Sequence, residues 1–269
     1  MSRRRGTGAG VPLLLVPPAA IGAAFLLLPT VALLIRAPWS GLRALYADSD
    51  VSSALTLSLQ TATASTVVSL LFGVPLAWML ARLRFRGLGV IRAAVTMPLV
   101  LPPVVGGVAL FLALGRLGVV GRYLDQWFGF TLPFTRYGVI AAETFVAMPF
   151  LVITAEGAFR TADRGLEEAA ATLGASRLSV FWRITVPGIA PSLVAGTVLC
   201  WARALGEFGA TITFNGSLKG TTEVMPTLIS KALESSPEQA EALSLILMTI
   251  ALVILVALRE QWLRPAAVS

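Results

Sequence analysis

Six long apolar stretches, each bounded by charged residues, constrain the fold of this chain more than any other feature. They cover residues 11–35, 53–80, 90–114, 137–159, 189–214 and 240–258, and Arg92 lies near the start of the third. A helix needs about 20 predominantly apolar residues to cross a hydrocarbon core about 30 Å thick. The first stretch has 25 residues, and a signal-peptide core has only about 7 to 15, so we expect a retained helix. The sequence therefore predicts an all-α, polytopic membrane protein with about six transmembrane helices.

The residue types that the sequence lacks exclude several classes of enzyme. None of the 269 residues is a histidine, so there is no imidazole base, no Ser-His-Asp or Cys-His pair and no histidine-ligated metal. The single cysteine, Cys200, has no second thiol for a disulfide or a metal site. The only lysines, Lys219 and Lys231, follow leucine and serine, so neither completes the Gly-Lys of a P-loop. We therefore expect no enzyme activity, no metal and no bound cofactor on this chain.

The basic residues predict the topology. With the N-terminus inside, thirteen of the 21 arginines and lysines fall in inside segments and seven in outside segments, while Arg203 lies within a span. Lys and Arg are enriched in cytoplasmic loops. Both termini are therefore predicted to be cytoplasmic. The arginines are separated by spans and lack interleaved aromatic residues, so we expect no nucleic-acid partner.

Three segments between spans are long enough to have structure of their own. The outside stretch 115–136 contains Trp127, Phe128 and Phe130, which suit the headgroup level, and it is predicted to be an interfacial helix or a re-entrant turn. A second outside stretch, 215–239, offers a surface to an external partner. The third segment lies inside.

The inside segment, 160–187, is predicted to form two short helices. Residues 166–173 are strong helix formers, and Gly174 suits the left-handed position that ends a helix. A second helix can run over 176–183 with a serine as its N-cap, and Pro187 would mark the start of the next span. The pattern by itself favours an ordinary amphipathic connector. The alternative is a rigid elbow whose small alanines let another protein approach closely.

The spacing within this segment resembles a known motif. Glu168-Ala169-Ala170 is followed after three residues by Gly174, after nine more by Ile184, and after one more by Val186-Pro187. This resembles the EAA loop of binding-protein-dependent ABC importer permeases of the type I fold, in which leucine stands where this sequence has valine. The resemblance extends over about residues 52–258. It implies the type I fold and a coupling helix that docks into a cytoplasmic ATPase subunit. The residues that it assigns to coupling are Glu168, Ala169, Ala170, Gly174, Ile184 and Pro187.

Two membrane stretches are similar to molybdate permeases. One is the fifth-span sequence that begins at Arg203 and includes Gly-Glu-Phe-Gly-Ala-Thr-Ile-Thr-Phe at 206–214, with Met225-Pro226 further on. The other is Met-Pro-Leu-Val-Leu-Pro-Pro-Val-Val-Gly-Gly at 97–107 in the third span. Sulfate and tungstate permeases share parts of both, but the 206–214 sequence most resembles the molybdate branch. The resemblance implies translocation of molybdate, with sulfate or tungstate as the alternative substrate.

Charged residues inside the spans are candidates for the pathway. An ionisable group at the centre of a span costs about 2.5 to 3.5 kcal/mol, so it should face protein or water. Arg203 and Glu207 are four residues apart and are predicted to pair along one helix face. At the helical rise, Arg203 would lie about 24 Å beyond Pro187, toward the outer side and away from the midplane. The same face would continue as a stripe that either packs against a helix or lines the path, with Ser192, Gly196 and Ala210 as its other members.

Two further features of the spans are candidates for the pathway or gate. Hydroxyls recur at helical spacing in the second span, where they would either contact an oxyanion or bond to backbone carbonyls. They are Ser58, Thr61, Ser65 and Ser69. Prolines and glycines are predicted to break the third span, and a break is tolerated only beside protein or a water-filled cavity. They are Pro98, Pro102, Pro103, Gly106 and Gly107.

Glu143 in the fourth span keeps another class of function open. Six residues from Tyr137, its carboxylate is expected to reach the outer interface. Alternatively, Glu143 and Glu207 would carry protons in a secondary transporter without an ATPase partner. An intramembrane enzyme is less favoured, because every aspartate lies outside the spans.

These features together predict residues 1–51 as a tail, first span and outside loop, 52–258 as the permease core, and 259–269 as a cytoplasmic tail. The expected setting is a prokaryotic cytoplasmic membrane, in contact with its lipid. Because six spans suit half of a pathway, we expect a homodimer. The resemblance implies two kinds of further partner: an external molybdate-binding protein and cytoplasmic ABC ATPase subunits, which would bind the ATP and Mg²⁺.

Overall fold

The computed structural model describes residues 13–39 and 48–263, and every regular element in these ranges is helical. A short 3₁₀ turn, Leu13–Leu15, precedes the first helix. In chain order the helices are α1 (Val16–Arg36), α2 (Ser49–Arg82), α3 (Leu88–Val100), α4 (Pro103–Leu114), α5 (Gly121–Phe128), α6 (Arg136–Thr161), α7 (Arg164–Thr172), α8 (Arg177–Gly188), α9 (Ala190–Leu205), α10 (Gly209–Asn215), α11 (Met225–Ser235) and α12 (Pro237–Leu263). The predicted all-α class is confirmed. The predicted inside charges of Arg3, Arg4, Arg5 and Arg264 and the outside charge of Arg43 lie outside the described residues.

Four of the described helices, α1, α2, α6 and α12, are each long and apolar enough to cross a membrane. The α8 and α9 helices qualify as a pair that bends by 75°. The predicted third span consists of α3 and α4, which rise about 20 Å and about 18 Å and must join to cross about 30 Å of hydrocarbon. The six predicted stretches thus correspond to four continuous helices, the broken helix α3–α4, and α9 followed by the short α10.

The core lies where α2, α6 and α9 pack against one another. Small side chains such as Ala62, Ala147 and Ala204 are buried there. A Cβ atom added at Gly196 of α9 would lie 3.1 Å from the Cβ of Thr154 on α6. Close approach of this kind provides the van der Waals contact that holds membrane helices together. Gly196, one of the pathway candidates, therefore has a packing role in this core.

The break in the third span is confirmed. The α3 helix ends before Leu101, which is extended, and α4 begins after Pro102. Pro98 stays inside α3. A proline removes a backbone donor and clashes with the preceding turn, a cost that α3 tolerates once, at Pro98. At the break two prolines are adjacent, and they occupy the N-cap and the first position of α4, where proline is favoured.

The fifth span starts where it was predicted, because α9 begins at Ala190, but the prediction of one helix continuing to residue 214 is wrong. The chain bends by 75° between α8 and α9, and α9 ends at Leu205, four residues before α10 starts at Gly209. The α10 helix lies so close to α4 that a Cβ at Gly209 would be 2.5 Å from the Cβ of Pro103. The single stripe that joined Arg203 and Glu207 to Ala210 is therefore interrupted.

Candidate functional site

The inside segment forms the predicted helical elbow. The Asp163 carboxylate accepts a hydrogen bond from the N–H of Gly165 at 2.8 Å and caps α7. Gly174 has φ = +86° and ends this helix, as expected for the left-handed position. The Ser176 hydroxyl then accepts from the N–H of Ser179 at 3.2 Å and caps α8. Two short helices joined at glycine are confirmed, and the second extends to Gly188 with a π-helical turn at Phe181–Thr185.

The elbow presents an exposed surface that mixes charge with apolar side chains. The predicted coupling residues Glu168, Ala169, Gly174 and Pro187 are exposed, while Ala170 and Ile184 are half-buried. Large apolar side chains extend the same region, with Leu173 89% exposed and Trp182 60% exposed. Exposed apolar surface rimmed by polar residues is typical of a protein contact site. The described surface therefore fits a docking role, which stays a prediction.

Glu167, which the sequence reasoning did not single out, fixes this elbow to the membrane helices. Its Oε1 atom accepts hydrogen bonds from Arg82 Nη2 at 2.7 Å and from the Thr185 hydroxyl at 2.8 Å. The residue precedes the motif and looks like one more solvated charge of an amphipathic helix. An acidic residue in the first turn of a helix is the only sequence signal.

Glu156 is a buried carboxylate that sequence reasoning also missed. It forms ion pairs with Arg92 of α3 at 2.8 Å and with Arg160 one turn later at 2.6 Å. Arg92 also donates to the carbonyl of Leu80 near the end of α2. These contacts join the ends of α2, α3 and α6, and the spacing of Glu156 and Arg160 is the signal that could have indicated half of the cluster.

A cavity of about 140 Å³ lies where the broken third span meets the fifth. The residues at the break, Pro98, Leu101 and Pro103 among them, line one side, and Arg203 lines the other. The remaining wall comes from α6 and includes Phe150. The cavity is several times larger than the roughly 10 to 15 Å³ that one water requires. The two stretches that resemble molybdate permeases thus converge on one cavity.

The predicted ion pair at this cavity is confirmed. Arg203 Nη1 lies 2.6 Å from Glu207 Oε2, and the Glu207 side chain is only 1% exposed. Glu207 Oε1 accepts from the N–H of Ala210 at 2.9 Å and so caps α10. An arginine has five N–H donors, so donors remain for other partners of the 30% exposed Arg203 side chain.

The predicted outer position of Arg203 is wrong. The cavity residues Phe145 and Phe150 lie near the middle of α6, and Leu101 lies at the middle of the third span. Arg203 is therefore level with the middle of the neighbouring helices. The bend before Ala190 removes only about 4.5 Å of the expected rise, so the level of Arg203 follows mainly from its position beside the middle of α6.

The hydroxyl stripe of α2 is buried, and three of its four members have hydrogen-bond partners, whereas Ser69 Oγ has none among the described residues. Ser58 Oγ accepts from the N–H of Met225 at 2.7 Å and fixes the start of α11. Ser65 donates to the Ala62 carbonyl at 3.0 Å. Ser192 is half-buried on α9. Ser58 and Ser65 thus have structural partners, as hydroxyls in membrane helices commonly do.

Thr61 joins α2 to the buried carboxylate of Glu143. Its hydroxyl donates to Glu143 Oε1 at 2.8 Å, and Glu143 is 1% exposed. The expectation that Glu143 reaches the outer interface is therefore wrong, because the side chain turns toward α2. Thr61 also lines an open groove of about 580 Å³ with Gln60, Thr135 and Arg136.

The predicted outside segments gather away from the elbow. Lys219 pairs with Asp50 at 2.6 Å, and this hydrogen bond raises the pKa of Lys219. Lys231 pairs with Glu223, and Arg136 Nη2 donates to the Gly220 carbonyl at 3.0 Å. The predicted helix in 115–136 is confirmed at Gly121–Phe128.

Comparisons with known proteins agree with this architecture. A family described as "Binding-protein-dependent transport system inner membrane component" matches residues 73–267. The chain is 48% identical over 234 residues, 87% of its length and 88% of the relative's, to "Molybdenum transport system permease protein ModB" of Mycobacterium bovis. It is 35% identical, over 78% of its length and 74% of the relative's, to "Probable sulfate transport system permease protein cysT" of Chlorokybus atmophyticus.

A solved structure has the same fold. It is described as a "bacterial alginate ABC transporter in complex with alginate pentasaccharide-bound periplasmic protein", and the matched chain superposes with a TM-score of 0.73. The superposition covers 94% of this chain and 95% of that one at 20% sequence identity. At this identity the likeness concerns the fold alone, and it is the type I fold that the inside motif implied.

Proposed function

Because this chain belongs to the family of binding-protein-dependent transport system inner membrane components, we propose that it is the subunit through which molybdate crosses the cytoplasmic membrane. The observation that supports molybdate as the substrate is the 48% identity, over 87% of the chain, to a relative named as a molybdenum transport permease. Sulfate is the second candidate, and the lower identity of 35% to a probable sulfate permease supports it less. The subunit is a multi-pass protein of the inner membrane.

The cavity at Arg203 supports an oxyanion pathway. A tetrahedral oxyanion accepts hydrogen bonds from all sides, and the guanidinium offers a fixed cluster of donors. Glu207 neutralises much of the arginine charge, because its carboxylate lies 2.6 Å away. An ion held by a partly neutralised cation is released more easily than one held by a free cation, and a pathway must release its substrate. The break at Leu101 and Pro102 places non-helical backbone beside this site.

We infer the remaining roles from the same family. Two copies of the chain form the pathway, an external molybdate-binding protein delivers the ion, and cytoplasmic ATPase subunits bind ATP and Mg²⁺ and dock on the elbow of α7 and α8. The chain itself binds no cofactor. The segments predicted inside meet at Glu156 and Glu167, and those predicted outside meet at Asp50 and Glu223. This grouping separates the two ends of the helices, and the excess of arginine and lysine in the segments predicted inside supports cytoplasmic termini.

The proposal is tested with the complete complex in proteoliposomes. Permease, ATPase and binding protein are reconstituted together, and ATP hydrolysis is measured with molybdate, tungstate, sulfate or no oxyanion. We expect molybdate to stimulate hydrolysis at a lower concentration than sulfate. Stimulation by sulfate at the lower concentration would reassign the substrate, and no stimulation by any of the three would contradict an oxyanion importer.

Docking of the ATPase is tested at Gly174. A valine there must adopt φ near +86°, which L-residues other than Gly, Asn and Asp rarely do. Nothing lies within 4 Å of the added Cβ, so the change disturbs the turn and not the core. We expect Gly174→Val to lose copurified ATPase and uptake together. Ala substitution of Gly157, equally free of neighbours, is the control and should retain both, and unchanged docking in Gly174→Val would contradict the assignment.

A further inference from the structure

One carboxylate oxygen joins three helices at the base of the elbow. Glu167 Oε1 of α7 accepts from Arg82 Nη2 at 2.7 Å and from the Thr185 hydroxyl at 2.8 Å. Arg82 is the last residue of α2, and Thr185 is the last residue of the π-helical turn in α8. The coupling helix is thereby tied both to a membrane span and to the helix that leads into α9.

The junction is shielded from water. The side chains of Arg82 and Glu167 are 12% and 20% exposed, and Thr185 is buried. Charge-assisted hydrogen bonds are shorter and stronger than neutral ones, and shielded pairs are screened less by salt. The adjacent Glu168 is exposed and has no ion-pair partner among the described side chains. The two neighbouring glutamates therefore face different surroundings, one toward the spans and one away from them.

The surrounding packing makes the junction a rigid base. Phe181 opens the π-helical turn and stacks on Phe159 of α6, with ring centroids 6.1 Å apart. Its ring also meets Trp78 of α2 edge-on at 6.3 Å. A π-helical turn inside a helix frequently marks a functional position. Here it brings the Thr185 hydroxyl within reach of Glu167.

We propose that Glu167 is a positioning residue that transmits movement of the coupling helix to the spans. The Arg82–Glu167–Thr185 junction makes α7 move as one body with the end of α2 and, through α8, with α9. Without it, α7 can tilt when the ATPase subunits close, and less of that movement reaches the cavity at Arg203. This role rests on the proposed function as an ATP-driven permease. Its signature is ATP hydrolysis that continues while transport per ATP falls.

The test uses variants that change the junction without changing its shape. Thr185→Val replaces the hydroxyl by a methyl group, and Thr185→Ser retains the hydroxyl. Glu167→Gln removes the charge, and Glu234→Gln makes the same change at an exposed residue without an ion pair among the described side chains. Each variant is assembled with its ATPase and binding protein in proteoliposomes. Copurified ATPase, ATP hydrolysis and molybdate uptake are then measured on the same preparation.

We expect Thr185→Val and Glu167→Gln to retain copurified ATPase and ATP hydrolysis. The molybdate taken up per ATP should fall about fivefold or more, because the loss of one hydrogen bond changes an equilibrium constant by about that factor. Thr185→Ser and Glu234→Gln should retain the wild-type ratio. An unchanged ratio in Thr185→Val, or a parallel loss of hydrolysis and uptake, would overturn the proposal. If Glu167→Gln does not assemble, the two Thr185 variants decide. A wild-type complex without ATP-dependent uptake would instead refute the proposed function. This outcome is distinct from a changed uptake per ATP in the variants, because it is seen before any residue is replaced.

Discussion

Replacing Gly107 by alanine tests whether α4 and α10 touch as closely as the structure has them. A Cβ at this position would lie 2.6 Å from the Cβ of Thr213 and 2.9 Å from the carbonyl oxygen of Ala210. Both atoms are fixed by the backbone of α10, so neither can rotate away. Gly106 is a graded comparison, because its added Cβ would lie 3.2 Å from the ring of Phe145, which can shift.

The expected change in the free energy of unfolding is the balance of an overpacking cost and a gain in helix propensity. Overpacking a close contact costs about 1 to 3 kcal/mol, with the upper half applying when the clash is with backbone. Alanine in a helix gains about 0.5 to 1 kcal/mol over glycine. Gly107→Ala should therefore lose about 1 to 2.5 kcal/mol of the free energy of unfolding. Gly157→Ala, with nothing within 4 Å of the added Cβ, should gain about 0.5 to 1 kcal/mol.

The assay is reversible unfolding of the purified subunit in mixed micelles by a denaturing detergent, followed by helix content and tryptophan fluorescence. The predicted order of stability is Gly157→Ala, wild type, Gly106→Ala and Gly107→Ala, from highest to lowest. Equal stability of Gly107→Ala and Gly157→Ala would refute the close contact of α4 with α10, and with it the wall of the cavity.

Two further substitutions test other contacts. Ser58→Ala removes the buried acceptor of the Met225 N–H and should lower the free energy of unfolding by about 1 to 3 kcal/mol. Ser53→Ala, at an exposed position of the same helix, should change the free energy of unfolding little. Equal effects of the two substitutions in the same assay would contradict the hydrogen bond. Glu207→Lys removes the partner of Arg203 and the cap of α10 and should abolish molybdate uptake, while Glu207→Asp, which keeps the charge, should retain part of it. Full uptake by Glu207→Lys would refute a role of this pair.

Local chemistry made the elbow and the third-span break predictable. The left-handed glycine at φ = +86° and the serine N-cap depend only on residues a few positions away, so the sequence is enough to predict them. Pro102 and Pro103 act in the same local way. The ion pair of Arg203 and Glu207 follows from their spacing of one helical turn.

Contacts between distant segments were the part that sequence could not supply. The fifth span is broken just before Gly209 meets Pro103, and Gly206, the C-cap of α9, permits this break without requiring it. Glu143 turns inward because Thr61, 82 residues away in the chain, donates to it. The Arg82–Glu167 pair joins residues 85 apart. Each of these depends on which helices pack together, and the apolar pattern of the spans does not contain that information.

The most direct test of an ATP-driven permease is uptake of radiolabelled molybdate by proteoliposomes that hold the complete complex. The vesicles contain ATP and Mg²⁺ in one arm and only an imposed pH gradient in the other, with the binding protein outside in both. Uptake in the ATP arm alone is the result expected of a pathway that a partner ATPase drives through the α7–α8 elbow. Uptake driven by the pH gradient without ATP would contradict it and would favour proton carriage by Glu143 and Glu207.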